Sequence, residues 1–125
     1  MDRMKTGKPD TNLKNRSYSF SVSIVKFIDN LDQKKTSVQV IIRQLLRSAT
    51  SIAANIAEAQ AASSKKDFIN FYHYALKSAH ETKFWLRLLI DTGKSQNNQI
   101  NELLQEVTEL LKMISSAILT LKANS

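Results

Sequence analysis

The chain has 125 residues and is 42% hydrophobic with no cysteine, which allows one domain with a continuous core and excludes a disulfide framework or a thiolate metal site. Two glycines and one proline leave few places for sharp turns or positive φ, which argues against hairpin-rich β folds and glycine-built phosphate loops and favours long helices. Eighteen Lys and Arg against eleven Asp and Glu give a net charge of +7, so the surface field favours acidic partners, nucleic acid first among them. No apolar stretch opens the chain or reaches ~18 consecutive residues, so the expectation is a soluble, cytoplasmic protein without a membrane partner.

Residues 1–16 are polar and carry Arg3, Lys5, Lys8 and Lys14 against Asp2 and Asp10, as expected of a flexible basic tail preceding a bundle over 17–123. Phe20, Ile24, Phe27 and Leu31 recur at alternating steps of four and three and predict a first helix over about 17–31. After a short polar connection, Thr36 or Ser37 is placed to cap a second helix over about 37–62. Its stripe is Val38, Ile42, Leu45, Ala49, Ile52, Ile56 and Ala59, and its second half is rich in alanine. Ser64-Lys65-Lys66-Asp67 has the form of a capping box and opens a third helix over about 65–92, with Gly93 placed for positive φ beyond its last turn. That helix is striped by Phe68, Tyr72, Ala75, Ala79, Thr82, Leu86 and Leu89. A fourth helix over about 96–122 repeats the spacing with Ile100, Leu104, Val107, Leu111, Ile114, Ile118 and Leu121. Short connections make consecutive helices antiparallel neighbours, so the expected fold is all-α, an up-down-up-down four-helix bundle. A dimerising two-helix hairpin is the alternative.

The third and fourth helices hold more apolar residues than one stripe needs. Ile69, Phe71, Leu76 and Trp85 flank the third stripe, and Leu103, Leu110 and Ala117 form a second row on the fourth. They suit either a wide core face or an interface between subunits. The aromatic residues Phe68 and Tyr72 belong to the stripe, whereas Tyr74 and Phe84 are surface candidates for nucleic-acid contact.

Alternating helices bring the first and third connections to one end, gathering Lys34, Lys35 and Lys94; the other end receives Lys65, Lys66 and Lys122, and Arg43 and Arg47 form a third positive spot. Lys77, Lys83 and Arg87 lie among the aromatics of the third helix. All ten of Lys34, Lys35, Arg43, Arg47, Lys65, Lys66, Lys77, Lys83, Arg87 and Lys94 are candidate phosphate contacts, the alternative being simple solvated charge. Asn55 and Glu58, a polar pair in an alanine-rich stretch, are expected to form a structural hydrogen-bond network. His73 and His80 fall opposite the stripe, and no Glu-x-x-His pair or histidine pair at i, i+4 is present, so no metal or other cofactor is expected. Glu58, Asp67 and Glu81 have no nucleophile or base beside them, which leaves catalysis without a visible carrier.

The segment Arg47-Ser48-Ala49-Thr50-Ser51-Ile52-Ala53-Ala54-Asn55-Ile56-Ala57-Glu58-Ala59 resembles the second helix of bacterial four-helix bundle proteins encoded in intervening sequences of 23S ribosomal RNA genes, whose signature is S-I-x-x-N-I-A-E. Ser64-Lys65-Lys66-Asp67-Phe68 and Ala79-His80-Glu81-Thr82-Lys83-Phe84-Trp85-Leu86-Arg87-Leu88-Leu89 are similar to that family's third helix, and the likeness spans about 17–122. Ala53 and Ala59 stand where many relatives have Pro and Gly, so the second helix is expected to run on unbent. The resemblance implies a homo-oligomer, typically a homopentameric ring. A related branch is similar to the accessory variability protein of diversity-generating retroelements, a basic bundle that binds a reverse transcriptase and nucleic acid; here Ser115-Ser116-Ala117-Ile118 replaces that branch's Gly-Gly-Trp-like ending. The resulting expectation is a non-enzymatic scaffold that binds RNA or DNA without base specificity, or else a protein adaptor, for instance for a reverse transcriptase.

Overall fold

The computed structural model describes residues 9–124, with side chains from residue 13 onward. Four helices run in order, α1 (Pro9–Asp29), α2 (Thr36–Gln60), α3 (Lys65–Asp91) and α4 (Asn98–Ala123), and no strand occurs among the described residues. Each helix packs on two others, in the pairs α1/α2, α2/α3, α3/α4 and α1/α4, with no diagonal contact among the described residues. The pairing of Ser48 with Thr82 and of Ser51 with Ser78 runs up α2 and down α3, which makes these neighbours antiparallel.

The ends of the helices follow from local chemistry. Ser64 accepts a hydrogen bond from the Asp67 backbone N–H at 3.1 Å and so caps α3 as its sequence implies. At the other end of α3, Gly93 adopts φ +70° while its N–H bonds to the Ile90 carbonyl and the Lys94 N–H reaches back to Leu89. This pair of bonds closes the helix with the positive-φ residue that only glycine takes cheaply. Asn97 caps α4 through its side chain, so the helix begins at Asn98 and not at Gln96. The first residue of α2 is Thr36, preceded by Lys35 in extended backbone with no side-chain cap; neither Thr36 nor Ser37 caps this helix.

Two further expectations are corrected. Of the basic tail expected over 1–16, residues 1–8 lie outside the described residues, while from Pro9 the chain is already helical. Proline suits a first helical position because its missing N–H has no partner to lose there. Leu13, seven residues before Phe20, extends the apolar stripe and is buried in the core. In α4, Leu103 and Leu110 are core residues, 5% and 0% exposed, whereas Leu104 and Leu111 are only half-buried. The rows 100-103-107-110-114 and 100-104-107-111-114 share three members and both alternate steps of three and four, so periodicity fits either. The choice falls to the neighbours: Leu103 lines a cleft with Phe20 of α1 on one side and Leu104 shares a groove with Lys83 and Arg87 of α3 on the other.

Because Leu110 fills the core, Leu110→Ala should lower stability by about 2–5 kcal/mol. Urea titration is expected to show a reduced midpoint with the assembly state of the folded protein unchanged; altered assembly at wild-type stability would return Leu110 to an interface.

Candidate nucleic-acid interface

The α2/α3 seam is held by hydroxyls as well as by apolar side chains. Ser48 and Thr82 are fully buried with oxygens 3.0 Å apart, Thr82 also lies 2.8 Å from the Ser78 carbonyl, and Ser78 bonds to Ser51 at 3.1 Å. Asn55 joins this chain, donating to the Ser51 hydroxyl at 3.0 Å and carbonyl at 2.9 Å. Small side chains bring the helices close, and each buried hydroxyl finds a partner in the other helix or in the preceding turn. The network expected around Asn55 therefore exists, but through Ser51, Ser78, Ser48 and Thr82. Glu58 is exposed and has no partner among the described residues. Ser48 and Ser51 three apart on α2 and Ser78 and Thr82 four apart on α3 were the signal for this seam; the apolar pattern took in Thr82 but passed over the three serines.

At the outer edge of the same seam, the Arg47 guanidinium pairs with Glu81 and bonds to Gln44 at 3.0 Å. Glu81 in turn accepts from the Trp85 indole N–H at 3.3 Å, and Trp85 packs edge to face with Phe84, ring centres 4.8 Å apart. Arg47 is thus engaged with a carboxylate and is not the free cation expected of it. Arg43 one turn away remains exposed.

The other cations divide into three settings. Lys34 and Lys35 are exposed and Lys94 half-buried at the end where the first and third connections meet. The N-termini of α2 and α4 point to that end, and neither helix has an acidic residue in its first turn. Lys65 and Lys66 are exposed at the opposite end, where Asp67 lies in the first turn of α3. Lys77 is exposed on α3, but Lys83 and Arg87 share a groove with Glu102, Glu106 and Glu109 of α4. Those carboxylates offset the positive charge expected of the last two. Across the other side of α4, Glu106 takes two bonds from Arg16, at 3.0 and 2.6 Å. This hydrogen bond, opposed by burial and helped by the nearby charges of Glu106 and Glu109, raises the Arg16 pKa above its ordinary value. Positive charge thus gathers at the connections and on α2 and α3, and negative charge along α4.

Apolar surface is distributed more widely than the sequence indicates. Phe71, Leu76 and Trp85 are half-buried against the core, Ile69 is half-buried as well, and Tyr74 and Phe84 are exposed on α3. Tyr18 and Val25 of α1, Val40 and Leu46 of α2 and Leu119 of α4 are also exposed, and none of these five was singled out by spacing. Two clefts line the α1/α4 seam. One, about 480 Å³, is polar and contains Arg16, Ser19, Gln99 and Glu102; the other, about 520 Å³, is lined by Leu13, Met113, Ala117 and Leu121. No group of three or more His, Asp or Glu side chains able to hold a metal, and no helix long and apolar enough to cross a membrane, occurs among the described residues.

Trp85 is the single tryptophan of the chain, so its fluorescence reports the Arg47, Glu81 and Trp85 chain directly. Glu81→Gln should shift that emission while costing less than about 1 kcal/mol, because the ion pair is largely solvated, with side chains 59% and 33% exposed. A loss of several kcal/mol in denaturant titration would show that the pair is a core element instead.

The bundle is similar to the 1.70 Å crystal structure of a protein of unknown function from the S23 ribosomal protein family of Bacteroides thetaiotaomicron VPI-5482. The two share 41% sequence identity over 89% of this chain and 98% of that one, with a TM-score of 0.81. Among curated proteins none matches. Residues 10–116 match the family described as 23S rRNA-intervening sequence protein, a span that takes in the α1 residues ahead of Ser17, and the chain belongs to that family.

Proposed function

We propose that this protein is a non-enzymatic scaffold that assembles as a homo-oligomer, a homopentameric ring, and binds nucleic acid through its basic surfaces without reading base sequence. The observation that carries the nucleic-acid part is the end of the bundle bearing Lys34, Lys35 and Lys94. Three ammonium groups and the N-termini of α2 and α4 lie at that end, α2 has no side-chain cap, and no carboxylate sits in either first turn. Positive helix ends and lysines act on phosphate in the same sense. The carboxylates of α4 repel a polyanion from the side of the bundle, and repetition of the basic end around a ring would multiply weak phosphate contacts.

Self-association is supported by the apolar side chains that the single chain leaves half-buried or exposed, Phe71 and Trp85 on α3 and Tyr18, Val25 and Leu46 on α1 and α2. A monomer gains nothing from presenting such area to water, and a closed assembly removes it. Adaptor binding to a protein such as a reverse transcriptase is the competing proposal, favoured by the same exposed side chains of α1 and α2.

Replacing Lys34, Lys35 and Lys94 together by Glu should abolish binding of RNA and DNA at low ionic strength. Wild-type affinity should fall linearly with the logarithm of salt concentration, with a slope of about 0.7–0.9 per phosphate contacted. Fluorescence anisotropy measures both; binding unaffected by the three substitutions, or by salt, overturns the assignment of this end. For the assembly, Trp85→Asp is expected to yield smaller folded species in light scattering. A uniform monomer of the wild-type protein at micromolar concentration would eliminate the ring.

A further inference from the structure

We propose that the outward face of α3 binds unpaired RNA by stacking bases on Tyr74 and Phe84, an assignment that rests on the nucleic-acid reading above and gives it a second, non-electrostatic contact. Both rings are 56% exposed. Ten residues separate them, about 15 Å along the axis, and at 100° per residue Tyr74, Lys77 and Phe84 fall within about 80° of one another. Lys77 is exposed between them, and His73 and His80 are exposed beside them.

Exposed aromatics by themselves are ordinary, but these two are braced from beneath. Tyr74 packs edge to face on half-buried Phe71, with centres 6.2 Å apart and planes at 76°. Phe84 packs at 77° on half-buried Trp85, whose indole is held by Glu81, itself held by Arg47. A ring fixed before binding loses little rotamer freedom when a base stacks on it. Lys77 supplies a cation between the platforms, and an alternation of aromatic ring and cation suits a single strand.

A duplex keeps its bases stacked inside and would offer these rings nothing but backbone. Of the single-stranded polymers, RNA presents unpaired bases as a standing feature, in loops, bulges and ends. Glu81, three residues before Phe84, is occupied by Arg47 and Trp85 and so does less to repel phosphate.

The test is an anisotropy titration of the full chain with a labelled oligoribonucleotide of about 12 nucleotides, its DNA counterpart and the same RNA annealed as a duplex. Tyr74→Leu and Phe84→Leu, which keep apolar bulk, are each expected to weaken single-stranded RNA binding about 5- to 150-fold. Duplex binding, melting temperature and oligomeric state should not change. Tyr74→Phe, which keeps the ring, should bind as wild type does. Equal binding of duplex or DNA, undiminished RNA binding by both leucine variants, or altered assembly in either of them overturns the proposal, the last by placing the rings against a second copy. Wild-type protein that binds no nucleic acid at low salt defeats the broader reading, whereas wild-type RNA binding that both leucine variants retain defeats this proposal alone.

Discussion

The close packing of α2 on α3 sets the geometry of everything outside the core. Ala49, Ala75 and Ala79, all fully buried, leave room for the backbones to approach, and Ser48 and Thr82 then meet across the seam at 3.0 Å. A hydrophobic stripe tolerates sliding by a turn at modest cost, because one aliphatic contact substitutes for another. The hydroxyl contacts add a directional preference, since a slip gives up the bonds between Ser48 and Thr82 and between Ser51 and Ser78 while Ser48 and Thr82 keep their bonds to carbonyls of their own helices. The hydroxyl chain from Asn55 to Thr82 therefore favours one register for this helix pair.

That register has consequences at the surface. It places Arg47 against Glu81, which steers a carboxylate to the Trp85 indole and braces Phe84 in turn. The pair costs little to lose because it is solvated, but it determines which side chains remain available. It removes Arg47 from the set of free cations and leaves Arg43 and Lys77 as the exposed ones on that side.

Along α4 a second selection operates. Glu102, Glu106 and Glu109 face Arg16 on one flank and lie beside Lys83 and Arg87 on the other. A net charge of +7 is therefore not spread evenly. Lys34, Lys35 and Lys94 lie near two helix N-termini, in the company of Asp29, Asp32 and Asp91 at the same end, and the charge total by itself gives no hint of this partition, since Glu102 and Arg87 are brought together only by the α3/α4 packing.

The sequence by itself determined the number, type and approximate limits of the helices, the antiparallel order, the Ser64 cap, the Gly93 terminus and most of the core. These are local properties: apolar residues three and four apart share a face whatever the rest of the chain does, and a cap needs only its own first turn. It also contained, unread, the early start of α1, for which Pro9 and Leu13 were the signs. Tertiary structure alone decided between Leu103 and Leu104, between Leu110 and Leu111, and whether Arg47, Lys83, Arg87 and Glu58 stand free or beside a partner. Two heptad rows on one helix are equivalent until neighbours arrive on either side. The fate of a charged side chain is likewise set by residues tens of positions away, which periodicity along one helix cannot register.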